Sequence, residues 1–151
     1  AFGGRADIMD CLAPLGPVYQ AGTLSGNPIA MAAGLAQLRE LERINGWKLL
    51  EELGTEFEKL VSEAIKSAKI DIVFHRFGSM FCVFFTALPV FDFISAQGSD
   101  LKMFTRFFHA CLKRGVYVAP SQFETGFIST AHTTEDIERT GAVMRQALAE
   151  V

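Results

Sequence analysis

The residues best able to do chemistry lie in one short run, Tyr19-Gln20-Ala21-Gly22-Thr23-Leu24-Ser25-Gly26-Asn27-Pro28. Asn27 is a strong N-cap type, because its side-chain oxygen can accept from a backbone N–H one turn on. Pro28 suits the first helical position, where no N–H is needed. A helix opened there aims its unpaired N–H groups and positive dipole end at the loop holding Gly22 and Gly26. That is the physical recipe for holding an anion, most often a phosphate. Gly22 and Gly26 let the backbone come close, and Thr23 and Ser25 offer hydroxyls. The chain has no G-x-x-x-x-G-K-[ST] string, so this is not a Walker loop.

A second candidate is Glu124, in a loop punctuated by Pro120 and Gly126 and away from any periodic charged face. Other chemistries find little support. Cys11, Cys82 and Cys111 are scattered, and His75, His109 and His132 show no metal-ligand spacing. The cysteines read as reduced thiols, which points to a cytoplasmic setting. The net charge of −3 is spread along the chain, with no basic face for nucleic acid. The greasiest stretch, residues 80–91, is interrupted by Thr86 and Pro89 and is too short for a membrane helix. Half of the 151 residues are hydrophobic and 14 are phenylalanine, enough for a packed core.

Elements must position these groups. Apolar residues at three- and four-residue steps predict helices over 28–44, 47–68 and 100–114, and a last one starting at Thr133 with Asp136 completing a capping box. The alanines and Gly34 of the first predict close packing on both its sides. Asn45-Gly46 reads as its stop, with Gly46 in the left-handed conformation. The chain's opening residues read as a strand leading into a turn. Residues 71–77 and 80–86 read as a hairpin turning at Gly78-Ser79, the second strand central. Residues 87–99 read as a long loop. Val116-Tyr117-Val118 and residues 127–130 are candidate strands flanking the 119–126 loop. The phenylalanines 77, 81, 84, 85, 104, 107 and 108 read as core. This order predicts an α+β domain from about residue 46, with helices over a small, mostly antiparallel sheet.

The string from Gly16 to Pro28 resembles the glutamate-1-semialdehyde 2,1-aminomutase family, part of the class III aminotransferases. Ala1-Phe2-Gly3-Gly4-Arg5 resembles the family segment just after the cofactor lysine. Ala119-Pro120-Ser121-Gln122-Phe123-Glu124-Thr125-Gly126-Phe127, with Ser129 and Ala131-His132-Thr133, resembles its C-terminal active-site loop and the strand and helix next to it. The resemblance covers essentially the whole chain.

It implies the C-terminal small domain of a fold type I transferase dependent on pyridoxal phosphate. Residues 1–45 would be the tail of the large cofactor domain with its connecting helix, and 46–151 the small α+β domain. It implies conversion of (S)-4-amino-5-oxopentanoate to 5-aminolevulinate for tetrapyrrole synthesis. The cofactor would be pyridoxal or pyridoxamine 5'-phosphate, in a cytoplasmic homodimer with shared active sites. Gly22 and Thr23 would bind the cofactor phosphate; Tyr19 and Glu124 would face a small-molecule substrate. A glutamate there repels a substrate α-carboxylate and favours an amino group. His132 reads as structural, and Arg5 as a surface charge. No lysine precedes Lys48, and none has the family's Schiff-base context. The expectation is a C-terminal fragment with no catalytic residue of its own, inactive alone. The alternatives are another ω-aminotransferase of the class or, in isolation, a non-catalytic dimerisation or packing domain.

Overall fold

The computed structural model describes residues 2–151. It divides into two compact units, one ending at Leu41 and one spanning Glu42–Val151.

In the first unit the chain opens with a single helical turn, α1 (Ala6–Met9), where the sequence suggested a strand leading into a turn. The Arg5 carbonyl accepts from the N–H groups of Ile8 and Met9. The Arg5 guanidinium grips Asp7 at 2.5 Å, which holds the turn's first residues together at the surface. A short bridge pairs Leu12 with Val18. Then comes the helix α2 (Pro28–Arg43), capped by Asn27 as its sequence predicts. The expected packing on both sides is not found: none of its side chains is buried, and Ile29, Met31, Leu35 and Leu38 all face solvent. Its apolar residues are spread around the helix, and nothing among the described residues covers them.

The second unit begins with α3 (Gly46–Ala68). The left-handed residue before it is Asn45 (φ 53°), not Gly46, which is buried in the first turn of α3. Asparagine is among the few residues that enter this region at small cost. The hairpin β1 (Val73–Phe77) and β2 (Met80–Phe84) pairs Phe77 with Met80 and Val73 with Phe84. Between residues 87 and 99 the structure holds a short helix, α4 (Phe93–Gln97), where a plain loop was expected. Its start is a capping box: the Asp92 carboxylate accepts from Ser95 N at 2.8 Å, and Ser95 Oγ accepts from Asp92 N at 3.0 Å.

Helix α5 (Leu101–Lys113) ends in a Schellman motif. Gly115 (φ 81°) donates to Leu112 O, and Val116 to Cys111 O. This closure explains why residues 116–118 are not a strand. The N–H of Val116 is spent on the helix, and β3 takes the second edge of β2 at Met80 and Phe81. β3 (Gly126–Phe127) is only two residues long and completes the antiparallel order β1-β2-β3, with β2 central as expected. Helix α6 (Thr134–Leu148) carries the predicted Thr133/Asp136 box.

Three helices cover one face of the sheet. Phe57, Val61 and Ala64 of α3, Phe104, Phe107 and Cys111 of α5, and Ile137, Met144, Ala147 and Leu148 of α6 form the core with Val83 and Phe85. Burial pushes the Cys111 thiol up to about 12, which leaves it protonated and inert. Period-two alternation puts Val73, His75, Phe77, Met80, Cys82 and Phe84 on the other face. Val90 and Ala96 cover its Phe84 end. The far end is open, so Phe77 is a surface residue, 80% exposed, rather than core. No described helix is long and apolar enough to cross a membrane.

Arg76 fastens the hairpin to α3. Its guanidinium donates to Glu51 at 2.9 and 3.2 Å, to Glu58 at 2.8 Å and to Gly78 O at 2.8 Å. Hydrogen bonding from Arg76 holds the Glu51 carboxyl below its ordinary value of 4.5. Stability from that shift is fully present above this ordinary value and is lost as pH falls through the lowered one. The gap in urea midpoint between the wild type and Arg76→Met is therefore expected to narrow below about pH 4.5. A gap independent of pH would show that Glu51 takes no part.

Candidate functional site

In the first unit, two consecutive turns shape the loop before α2. Ser25 N donates to Gly22 O at 3.0 Å, and Asn27 N to Leu24 O at 3.0 Å. Gly26 takes φ 73° between them. Asn27 Oδ1 then accepts from Ile29 N at 3.0 Å and Ala30 N at 3.1 Å, and Met31 N reaches Asn27 O. Pro28 has no N–H. The amides of the first helical turn are thus all spent or absent, contrary to the sequence expectation that they point free into the loop. The free donors lie one turn earlier. The N–H groups of Gly22 and Thr23 and the Thr23 hydroxyl have no partner among the described residues, and both residues are exposed. Two adjacent amides and one hydroxyl, with no acidic side chain between residues 16 and 28, form a donor set that fits a phosphate. Tyr19, three residues before Gly22, presents its ring to solvent and is 81% exposed.

In the second unit, Glu124 sits on a loop fixed at several points. Glu124 N donates to Ser121 O at 3.1 Å, and Phe123 N to Ser121 Oγ at 3.2 Å. Cys82 Sγ on β2 lies 3.9 Å from the Glu124 carbonyl oxygen and 3.5 Å from Thr125 Oγ1. The Phe123 ring meets Phe93 of α4 at 5.7 Å. The Glu124 carboxylate is exposed and unpaired among the described residues, so it is free to meet a ligand cation. At the end of the loop, a Cβ on Gly126 would lie 2.3 Å from the Phe81 ring.

Tyr19, Gly22 and Thr23 therefore share one loop of the first unit, while Glu124 belongs to the second. His132 closes a turn: its Nδ1 accepts from Ser129 N at 2.9 Å, which places the neutral ring's proton on Nε2. Sequence reasoning assigned nothing to Gln122. Its side chain is 3% exposed, and neither amide atom has a hydrogen-bond partner. It lies within the 119–127 string that carries the family resemblance, but its distinction, burial without a partner, is not written in that string.

Comparison with solved structures defines the class. The chain superposes on an omega-transaminase from Sphaerobacter thermophilus with TM-score 0.75 and 25% identity, covering 97% of this chain and 34% of that one. It superposes on a beta-phenylalanine aminotransferase from Variovorax paradoxus with TM-score 0.72 and 26% identity, covering 95% and 33%. The fold is that of the fold type I transaminases, within their small α+β domain.

Three curated relatives, all named glutamate-1-semialdehyde 2,1-aminomutase, narrow this further. The protein of Akkermansia muciniphila is 59% identical over the whole chain. That of Opitutus terrae is 51% identical over the whole chain, and that of Thermus thermophilus 51% over 98% of it. The chain belongs to the glutamate-1-semialdehyde 2,1-aminomutase family. It spans about a third of these relatives' length, 35% for the first. No family model matches the chain.

Proposed function

We propose that this chain forms part of an enzyme that moves an amino group within one molecule, converting (S)-4-amino-5-oxopentanoate to 5-aminolevulinate. The identity to proteins of that name supports the activity, and the unspent donors at Gly22 and Thr23 carry the site. Those two amides and the Thr23 hydroxyl bind the phosphate of pyridoxal or pyridoxamine 5'-phosphate. When bound, that cofactor supplies the electron sink that lets an amino group leave one carbon and join its neighbour. Tyr19 lies against the substrate, and the Glu124 carboxylate takes up its amino end by charge attraction. The same charge turns away any carboxylate next to the reacting carbons, so the substrate's single carboxylate lies at the far end. The lysine that carries the cofactor belongs to the two-thirds of the relatives' length that this chain does not span.

The exposed Ile29, Met31, Leu35 and Leu38 of α2 support a homodimer that covers them, with the Gly22–Thr23 loop completing the partner's cofactor site. A large cofactor domain ending near residue 45 and a small domain after it fit the same reading, as does a cytoplasmic location.

In the full-length enzyme, Thr23→Val is expected to weaken cofactor retention. A hydrogen bond to a charged group contributes about 1.5–3 kcal/mol, so the dissociation constant should rise roughly 10- to 100-fold. Equilibrium dialysis of the cofactor measures this, and an unchanged constant removes Thr23 from the site. Turnover without any added keto acid separates the proposed isomerisation from an ω-aminotransferase, which needs a second acceptor.

A further inference from the structure

Gln122 is the one buried polar side chain of the Glu124 loop, and both ends of its amide are unpaired. An unpaired buried amide costs about 1–3 kcal/mol per group, whereas an apolar side chain of the same shape costs nothing of the kind. Gln122 stands at the wall between two spaces. One is a narrow recess of about 20 Å³, open on one side, where Ser121, Glu124 and Cys82 meet the apolar Phe104, Phe107 and Met144. The other is a cleft of about 320 Å³ bounded by Phe84, Phe93 and Phe123. The recess has room for one water, which needs about 10–15 Å³ and two to four polar partners. Ser121, Glu124 and Gln122 are the hydrogen-bonding residues of its lining. The last torsion of a glutamine is broad and roughly two-fold, so the amide can turn toward the recess at little cost.

We propose that Gln122 is a positioning residue for Glu124: its amide binds a single ordered water in the recess they share, and that water fixes the loop presenting the carboxylate. This rests on the reading of Glu124 as a substrate-binding residue. The backbone of the loop is held by Ser121 and Cys82, and the Phe123 ring rests on Phe93, but no direct hydrogen bond reaches the Gln122 amide. A methionine at position 122 would fill the space and remove the unpaired amide. Stability therefore gives no reason for a glutamine here, and a hydrogen-bonding duty does.

Two measurements on the full-length enzyme test it. A high-resolution crystal structure of the wild type is expected to show one ordered water within about 3.2 Å of Gln122 Nε2 or Oε1 and bonded to Ser121 or Glu124. Direct protein partners for both amide atoms beside a dry recess would overturn the proposal, and this readout needs no variant to fold.

The second is a double-mutant cycle on substrate KM. Gln122→Met and Glu124→Gln are each expected to raise KM about 10-fold, with kcat nearly unchanged and the Gln122→Met melting temperature not lowered. The double variant should be no worse than Glu124→Gln alone, because the two act as one unit. Effects that multiply in full, or an unchanged KM in Gln122→Met while Glu124→Gln is impaired, would overturn the positioning role and leave the reading of Glu124 standing. An unchanged KM in Glu124→Gln would overturn both.

Discussion

Phe57→Ala is expected to cost the second unit about 3–5 kcal/mol, the range for deleting a large buried ring that leaves a cavity. Phe57 is 1% exposed and sits where helix meets sheet. Its ring meets Phe81 at 4.8 Å and Phe74 at 6.2 Å, both edge-on. The cavity cannot collapse cheaply, because Phe74 and Phe81 are anchored in paired strands. Small domains hold only about 5–15 kcal/mol in total, so this one change takes a large share. Urea unfolding would read it as a fall in midpoint of more than about 1 M at unchanged slope. A fall much smaller than this would mean that helix and sheet can close over the gap, and that the ring is not the point on which they meet.

Gly126→Ala is the second large effect, and it joins the core to the candidate site. The added methyl would lie 2.3 Å from Cζ of Phe81 and 2.7 Å from Cε1 and Cε2. The Phe81 ring already packs edge-on against Phe57 at 4.8 Å, so moving it disturbs that contact. Either β3 leaves β2 or the ring abandons its place; overpacking of this kind costs about 1–3 kcal/mol. Because Gly126 is two residues from Glu124, the first route also displaces the loop, and substrate KM should rise with the loss of stability. Phe81→Leu in the same chain removes the clash and should recover part of the melting temperature. Failure of that second change to recover anything would place the strain somewhere other than the Phe81 ring.

The long elements were legible because each carries its own punctuation. Thr133 and Asp136 mark the start of α6, and Gly115 marks the end of α5. The hairpin was legible from Gly78 and the aromatic runs beside it. What was missed turns on competition for hydrogen bonds. Val116 has the composition of a strand, but its N–H goes to Cys111 O. Asp92-Phe93-Ile94-Ser95 hides a capping box in which serine takes the place usually held by glutamate or glutamine. The exposure of Phe77 and of the apolar residues of α2 depends on what faces them, and no local pattern encodes that. The candidate residues Tyr19, Gly22, Thr23 and Glu124 were chosen by type and resemblance. That the amides of α2 are spent on Asn27, or that Gln122 is buried without a partner, emerges only from three-dimensional placement.

The strand-side anchor of the Glu124 loop is sulfur. A thiol is a weak donor and a weak acceptor, and at 3.9 Å from the Glu124 carbonyl Cys82 grips lightly. A hydroxyl in its place would clamp the same backbone harder. On the strand side, the firm hold on this loop is therefore the backbone pairing of Gly126 with Phe81, one step further along the chain, and not the thiol.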